Sequence, residues 1–362
     1  MRRFWLIFAV FLMILCFLTP LRVHADELYD DTLQSILSLA DDTDFLPEST
    51  DPEALSRLDM GDFFGKLWRT VQSECHAPAQ HFGLLMGIIL MASLVQGFRQ
   101  GGETSQLCEV IGTLCAVTLI VPPLDAVFQR AAGMLSRTSD FMLGFTGIFG
   151  AVTAVSGNAA SAGVWQGSMI LLCEAALEVT AKILLPLLEL CMAMSISDAV
   201  NPEISLQGFI AAVRKCTTWA LGLMMAVFLG ILSVQTTVTA AADHAGTKAV
   251  RYMISGGVPI VGGAVSDAYA AVMGSMGVLR SCTGMTGILL VLSLLLPAVL
   301  SLGLYRLMLQ FAAAAAELFD VPTLSRLFKD LAETITAAFS VAVSFGVMFI
   351  FATAVLMKSG GV

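Results

Sequence analysis

The chain has 362 residues, of which 57% are hydrophobic and only 13% are charged, and its mean hydropathy is +0.84. A soluble domain carries about 25% charged residues, so this composition excludes the soluble enzyme classes. The net charge of -9 has the wrong sign for binding a phosphate backbone, and no basic cluster offsets it, which excludes nucleic acid as a partner. The composition is that of a membrane protein.

The first 25 residues have the order of a secretory signal peptide. Arg2 and Arg3 precede an apolar run over 4–18, and the segment closes on Val-His-Ala, a small-x-small cleavage signal. We predict a signal peptide over 1–25, cleaved between Ala25 and Asp26. The alternative is an uncleaved first membrane helix, which the short apolar run disfavours because a span needs about 20 residues.

The segment 26–80 is strongly acidic, with 13 acidic residues against three basic ones. Such a stretch with few aromatic residues buries too little apolar surface to fold alone, so we predict an acidic extracytoplasmic arm. Its second half places Phe63, Phe64, Leu67 and Trp68 at helical spacing, which indicates a helix in the membrane interface. Ordinary packing against the membrane domain explains the same spacing.

The remainder, 81–362, consists of apolar blocks separated by short polar or glycine-rich turns. We predict an all-α polytopic membrane bundle of six to eight transmembrane helices, with blocks at 82–98, 107–128, 141–156, 164–196, 217–235, 256–279, 284–310 and 333–357. The pair Pro122-Pro123 is expected to end or kink its block early. The stretches 125–140 and 237–255 mix charges with apolar residues and are expected to form interfacial helices.

Four ionisable residues, the last of them Glu189, stand in the long block 164–196. Glu174, Glu178 and Lys182 follow one another at i, i+4 and i+8, so they share one helical face, with Glu before Lys in the favourable order. Ionisable groups at membrane depth indicate a functional polar face along an ion path or pore. The alternative is a long tilted helix that protrudes from the bilayer, whose charges pair at the interface.

The chain carries no recognisable catalytic or metal-binding pattern. The zinc-protease, nucleophile-elbow and P-loop motifs are all missing, and only three His remain after the predicted cleavage. Cys75-His76 with His81 is not a spacing that closes a zinc site, and most Cys residues read as small buried hydrophobes. We therefore predict a non-enzymatic protein without catalytic, cofactor-binding or metal-binding residues.

The most unusual stretch is 228–275, where Gly and Pro interrupt apolar sequence. Gly256, Gly257, Pro259, Gly262 and Gly263 precede an acidic residue, Asp267. A helix broken at membrane depth is tolerated only where protein or a water-filled cavity satisfies the freed backbone groups, so these six residues are the candidates for a passage. The alternative is a close helix crossing that needs glycine for approach.

The same stretch resembles the stage III sporulation protein AE family of endospore-forming bacteria. The likeness covers roughly 60–360 and is densest in LGILSVQTTVTAAADHAGTKAVRYMISGGVPIVGGAVSDA, where the family motif falls on Gly230, Ser233, Gln235, Pro259, Gly262, Ser266 and Asp267. The resemblance implies a polytopic component of a mother-cell complex that joins a forespore-membrane partner across the intermembrane space. It also implies an ATPase, small membrane subunits and a ring-forming subunit as partners, and it carries no catalytic residues over.

We therefore expect a multi-pass subunit of a sporulation channel or secretion-like complex in the mother-cell membrane around the forespore, where homo-oligomers are possible. Two other functions fit the residues. One is a self-sufficient secondary transporter that moves a small solute through the broken-helix stretch, and the other is a structural scaffold that conducts nothing. Flux through the purified chain, alone and with partners, distinguishes the three.

Overall fold

The computed structural model describes residues 60–97, 103–201, 205–257 and 262–359. Long helices dominate these ranges: α1 Met60–Gly97, α2 Glu103–Val155, α3 Ala159–Val179, α4 Leu185–Val200, α5 Gln207–Gly257, α6 Gly262–Leu318 and α7 Pro322–Ser359. A π-helical turn, Thr180–Leu184, joins α3 to α4 without interrupting the helical run.

Six of the helical runs in the described part of the chain are long and apolar enough to cross a membrane. They contain the candidate spans Trp68–Val95, Glu109–Val155, Ala159–Val200, Gln207–Gly246, Ala271–Leu318 and Pro322–Val355. The prediction of an all-α polytopic membrane bundle is confirmed, with the number of candidate spans at the lower end of the expected six to eight. Because the hydrocarbon core is about 30 Å thick and a helix rises 1.5 Å per residue, these runs also extend beyond it.

The helices pack side by side and define two ends of the bundle. At the hairpin end, where α6 turns into α7, the Thr323 hydroxyl contacts the Glu109 carboxylate near the start of α2. At the turn end, where α2 turns into α3, the Ser156 hydroxyl lies 3.0 Å from the Met276 carbonyl oxygen of α6. It follows that α2 runs antiparallel to both α3 and α6.

Both tight turns use the same C-terminal helix motif. In the α2–α3 turn, Gly157 has a φ of +86°. Its N–H donates a hydrogen bond to the Ala154 carbonyl, and the Asn158 N–H donates one to the Thr153 carbonyl. In the α6–α7 turn, Asp320 takes the corresponding place with a φ of 57°. The left-handed conformation at this position satisfies the last helical carbonyls and reverses the chain within a few residues.

Aromatic side chains of α2 fill the centre of the bundle. Phe141, Phe145 and Phe149 are buried and stack in succession along the helix, and the Trp165 indole of α3 meets Phe149 edge to face with ring centroids 5.4 Å apart. A Cβ atom added at Gly287 of α6 would collide with the Phe145 ring. Glycine therefore lets α6 approach these rings closely.

Two expectations of interfacial helices are wrong, and the chain does not leave the helix at Pro122-Pro123. The blocks 107–128 and 141–156 belong to one 53-residue helix, so 125–140 is a continuous part of α2 and not a separate interfacial helix. The stretch 237–255 is likewise a continuous part of α5. Pro122 and Pro123 lie inside α2 without ending it, since Leu124 and Phe128 just beyond them are buried in the core, and that packing offsets the lost backbone hydrogen bonds.

Several predictions concern residues outside the described ranges. The signal peptide over 1–25 and its cleavage site at Ala25 and Asp26 lie outside them, as does the acidic arm up to residue 59. Helix α1 begins at Met60, in agreement with the helical spacing of the aromatic residues that follow. Trp68 is exposed on this helix, and its location in a membrane interface stays a prediction.

Candidate functional site

A buried polar cluster ties helices together at the turn end. We call it the turn cluster and define it by Ser156, Asp243 and Arg280. The two Asp243 carboxylate oxygens each accept a hydrogen bond of 3.0 Å, one from the Ala160 N–H and one from the Ser161 N–H, in the first turn of α3. A carboxylate at a helix N-terminus satisfies orphan donors and faces the positive end of the helix dipole.

Arg280 of α6 lies at the C-terminal end of α7, whereas Asp243 lies at the N-terminal end of α3. Its Nη2 donates a 2.7 Å hydrogen bond to the Met357 carbonyl in the last turn of α7, where the helix dipole favours a cation. The residue is 2% exposed, and its Nε and Nη1 have no hydrogen-bond partner among the described residues. Asp243 is close enough to stabilise the guanidinium electrostatically.

Further polar contacts surround the turn cluster. The Ser168 hydroxyl of α3 donates to the Gln235 amide oxygen of α5 at 2.8 Å, and the Trp165 indole N–H donates to the Ala352 carbonyl of α7 at 3.3 Å. Together with Asp243 and Arg280, these bonds fix the relative positions of α3, α5, α6 and α7. Gln235 and Asp243 both belong to the stretch 228–275 that the sequence singles out, so this part of it has a defined structural role.

The predicted broken helix lies next to this cluster in the chain. The described part of α5 closes on Gly256 and Gly257, and the described part of α6 opens on Gly262 and Gly263. Residues 258–261 between them lie outside the described ranges. Pro259 lies outside the described residues. Asp267 is in the first turns of α6, and its side-chain surroundings also lie outside the description. A passage at these six residues therefore stays a prediction.

Glu174, Glu178 and Lys182 are all exposed on the outer surface of the α3–α4 run. The Lys182 ammonium donates to the Glu178 carboxylate at 2.6 Å, the i, i+4 pair that the sequence predicts. Ser168 and Cys191 contact α5 on either side of this pair, and at 1.5 Å per residue they lie about 15 and 20 Å from Glu178. The pair therefore stands midway along the bundle, away from both helix ends.

Two charged residues of α2 lie at the same level along the bundle axis as the Glu178–Lys182 pair. Arg137 and Asp140 are exposed, and Asp140 precedes the α2–α3 turn by as many residues as Glu174 follows it. Because α2 and α3 form an antiparallel hairpin, these charges stand level with one another. We call this set the charged band and define it by Arg137, Asp140, Glu174, Glu178 and Lys182. Exposed charges halfway along candidate membrane spans need water or protein beside them, since lipid solvates them poorly.

The described residues offer no group of three His, Cys, Asp or Glu side chains that could hold a metal ion. The thiols of Cys173 and Cys191 are buried in the bundle, which is typical of structural cysteines.

The sequence reasoning missed a second group of charges, at the hairpin end. Arg214 of α5 pairs with Asp330 and Glu333 of α7, with shortest N–O distances of 3.3 and 2.8 Å. A cleft between α5, α6 and α7 is lined by Arg214 and by Arg306 of α6. Arg306 lies within the apolar block 284–310. A charged residue in such a block is energetically costly, so the sequence alone could have marked Arg306 as a candidate site residue. Part of its surroundings comes from α5, 88 to 95 residues earlier in the chain, so this grouping could not be found by spacing.

Comparison with known proteins supports the family resemblance that the sequence shows. The family model described as stage III sporulation protein AE matches residues 53–360, which include all seven helices. The stage III sporulation protein AE of Bacillus subtilis (strain 168) is 21% identical over 291 residues, covering 79% of this chain and 73% of that protein. No solved structure matches. The chain belongs to the stage III sporulation protein AE family.

Proposed function

We propose that this protein is a non-enzymatic, multi-pass subunit of a sporulation channel or secretion-like complex in the mother-cell membrane around the forespore. Its role is to line a membrane passage and to dock other subunits of the complex. The family membership supports the sporulation role, and the six candidate spans support a membrane location. The proposed partners are an ATPase, small membrane subunits, a ring-forming subunit and a forespore-membrane protein across the intermembrane space.

The observation that carries the proposal is the charged band. A scaffold that meets only lipid has no use for exposed charges midway along its helices, because each costs several kcal/mol at the centre of a bilayer. The same charges are favourable where a neighbouring subunit or a water-filled passage covers the α2–α3 hairpin. We therefore place the passage or the docking surface along this face.

Replacement of three charges in the band by leucine tests the proposal. We expect the triple variant E174L/E178L/K182L to accumulate normally and to lose heat-resistant spore formation, because an apolar face neither holds water nor docks a polar partner. Spore yield and protein level in sporulating cells are the measurements. The matched control is E174Q/E178Q/K182Q, which keeps the face hydrophilic and is expected to retain most of the yield.

A normal spore yield in the leucine variant would contradict the proposal, since leucine is the residue that a lipid-facing surface prefers. Reconstitution of the purified chain into vesicles separates the remaining possibilities. Flux that appears only with partner subunits supports the channel subunit, flux through the chain alone indicates a transporter, and the absence of flux with and without partners indicates a scaffold.

A further inference from the structure

A cleft of about 680 Å³ opens at the hairpin end of the bundle. The start of α5, the last third of α6 and the first half of α7 form its walls. Four of the lining residues are cationic: Arg214, Lys215, Arg306 and Lys329. Only two lining residues, Glu317 and Glu333, are acidic. The walls of the cleft therefore carry more positive than negative charge.

Two of the four cations are already neutralised by the protein. The Arg214 guanidinium donates to the Asp330 backbone carbonyl at 3.0 Å and also pairs with the Asp330 and Glu333 carboxylates. The Lys329 ammonium pairs with the Glu317 carboxylate across the α6–α7 hairpin. These two cations therefore help to build the cleft walls.

The other two cations face the cleft without a carboxylate. In the described part of the chain no acidic side chain lies within 4.0 Å of the charged nitrogens of Lys215 or Arg306. The Nε of Arg306 is also buried and lacks a hydrogen-bond partner there. A buried donor on a charged group is costly when it is left unsatisfied, so this arrangement favours an anion that enters from outside.

We propose that this cleft binds a phosphate-bearing anion, with Lys215 and Arg306 as its two cationic ligands. The guanidinium fork matches the oxygens of a phosphate group, and the lysine adds a mobile point charge on the opposite wall. The exposed amide of Gln310, one helical turn after Arg306, supplies a neutral hydrogen-bonding group beside them.

The surroundings favour the headgroup of an anionic phospholipid as the source of the phosphate. Trp219, Leu307 and Phe311 are large exposed hydrophobic residues, and each directly follows a residue that lines the cleft. Tryptophan is enriched at membrane interfaces, where its ring lies beside the headgroups, and apolar side chains next to a basic pocket suit acyl chains. A soluble phosphate ester has the same headgroup chemistry but gains nothing from these apolar residues.

Titration of the full-length protein in a neutral detergent tests the proposal. Thermal unfolding is followed while dioleoyl phosphatidylglycerol, dioleoyl phosphatidylcholine or glycerol 3-phosphate is added. We expect phosphatidylglycerol to raise the unfolding temperature at concentrations where phosphatidylcholine does not. Removal of one ligand by K215Q should weaken the apparent affinity roughly tenfold, the loss expected for one charge-assisted hydrogen bond. R306Q should have the same effect if it folds.

The matched control is R326Q, which removes an exposed cation of α7 that does not line the cleft. It should leave the response to phosphatidylglycerol unchanged. Glycerol 3-phosphate could stabilise the protein as well as the lipid does, with K215Q weakening both responses. That result would support phosphate binding in the cleft and would identify a soluble phosphate ester, not a lipid, as its source. Equal responses to the anionic and zwitterionic lipids, or equal responses of K215Q and R326Q, would overturn the proposal.

Discussion

Two buried charges at the turn end show how single residues fix this bundle. Asp243 satisfies backbone donors at the start of α3, and Arg280 donates to a carbonyl at the end of α7. Each charge lies at the helix terminus whose dipole it complements, and each comes from a different helix. Because the charges are also near one another, each offsets part of the desolvation of the other.

Removal of the Asp243 carboxylate should destabilise the whole bundle. D243A leaves the Ala160 and Ser161 N–H groups without their acceptor and removes a carboxylate that stabilises the Arg280 guanidinium electrostatically. We expect a loss of about 2 kcal/mol in the free energy of unfolding. Thermal unfolding of the purified protein in detergent, compared with the wild type, measures this loss.

The control for this substitution is H244A, which changes the next, exposed residue of the same helix. It should unfold at the wild-type temperature. If D243A and H244A unfold at the same temperature, the helix cap contributes nothing to stability and the role assigned to the turn cluster is wrong.

At the scale of elements, close helix crossings depend on the position of glycine. Gly287 faces the Phe145 ring, and Gly346 of α7 faces the Leu295 side chain, so a Cβ atom at either place would overlap its neighbour. Other glycines of α6 have open space around them, Gly277 among them. Close approach therefore depends on glycine at particular positions, whereas others, such as Gly277, have room for a side chain.

Two alanine substitutions on α6 distinguish these classes of glycine. G287A should destabilise the protein by about 1–3 kcal/mol, because the added methyl group forces the Phe145 ring out of its place. G277A should stabilise it by roughly 0.5–1 kcal/mol through helix propensity alone. Thermal unfolding of both variants in the same detergent gives the comparison. Stabilisation by G287A would show that α6 and α2 are not packed as closely as described.

The sequence predicted the elements better than their junctions. Long apolar blocks predicted the membrane helices, and i, i+4 spacing predicted the Glu178–Lys182 pair, because both signals are local. The continuity of α2 through Pro122 and Pro123 was missed, since burial of the residues around them overrides a local helix-breaking signal. The turn cluster was missed for a related reason: Asp243 and its backbone donors are 82 and 83 residues apart.

At the scale of the whole molecule, the outer surface is not uniformly apolar. Most exposed side chains midway along the helices are hydrophobic, as Val227 and Val234 of α5 are, whereas the α2–α3 hairpin carries the charged band at the same height. The two kinds of surface need different neighbours within a bilayer. We infer that the exposed face of α5 meets lipid and that the α2–α3 hairpin meets water, in a passage or at a wet docking surface.

Cysteine accessibility in membranes from sporulating cells tests this central claim most directly. In a chain whose native cysteines are replaced, E174C of the charged band and V227C of α5 stand at similar height on different faces. A small, charged methanethiosulfonate reagent should modify E174C rapidly and leave V227C unmodified, because only the first position meets water. Equal protection of the two cysteines would contradict the account, since the charged band would then lie in lipid and neither a passage nor a wet docking surface could be located there.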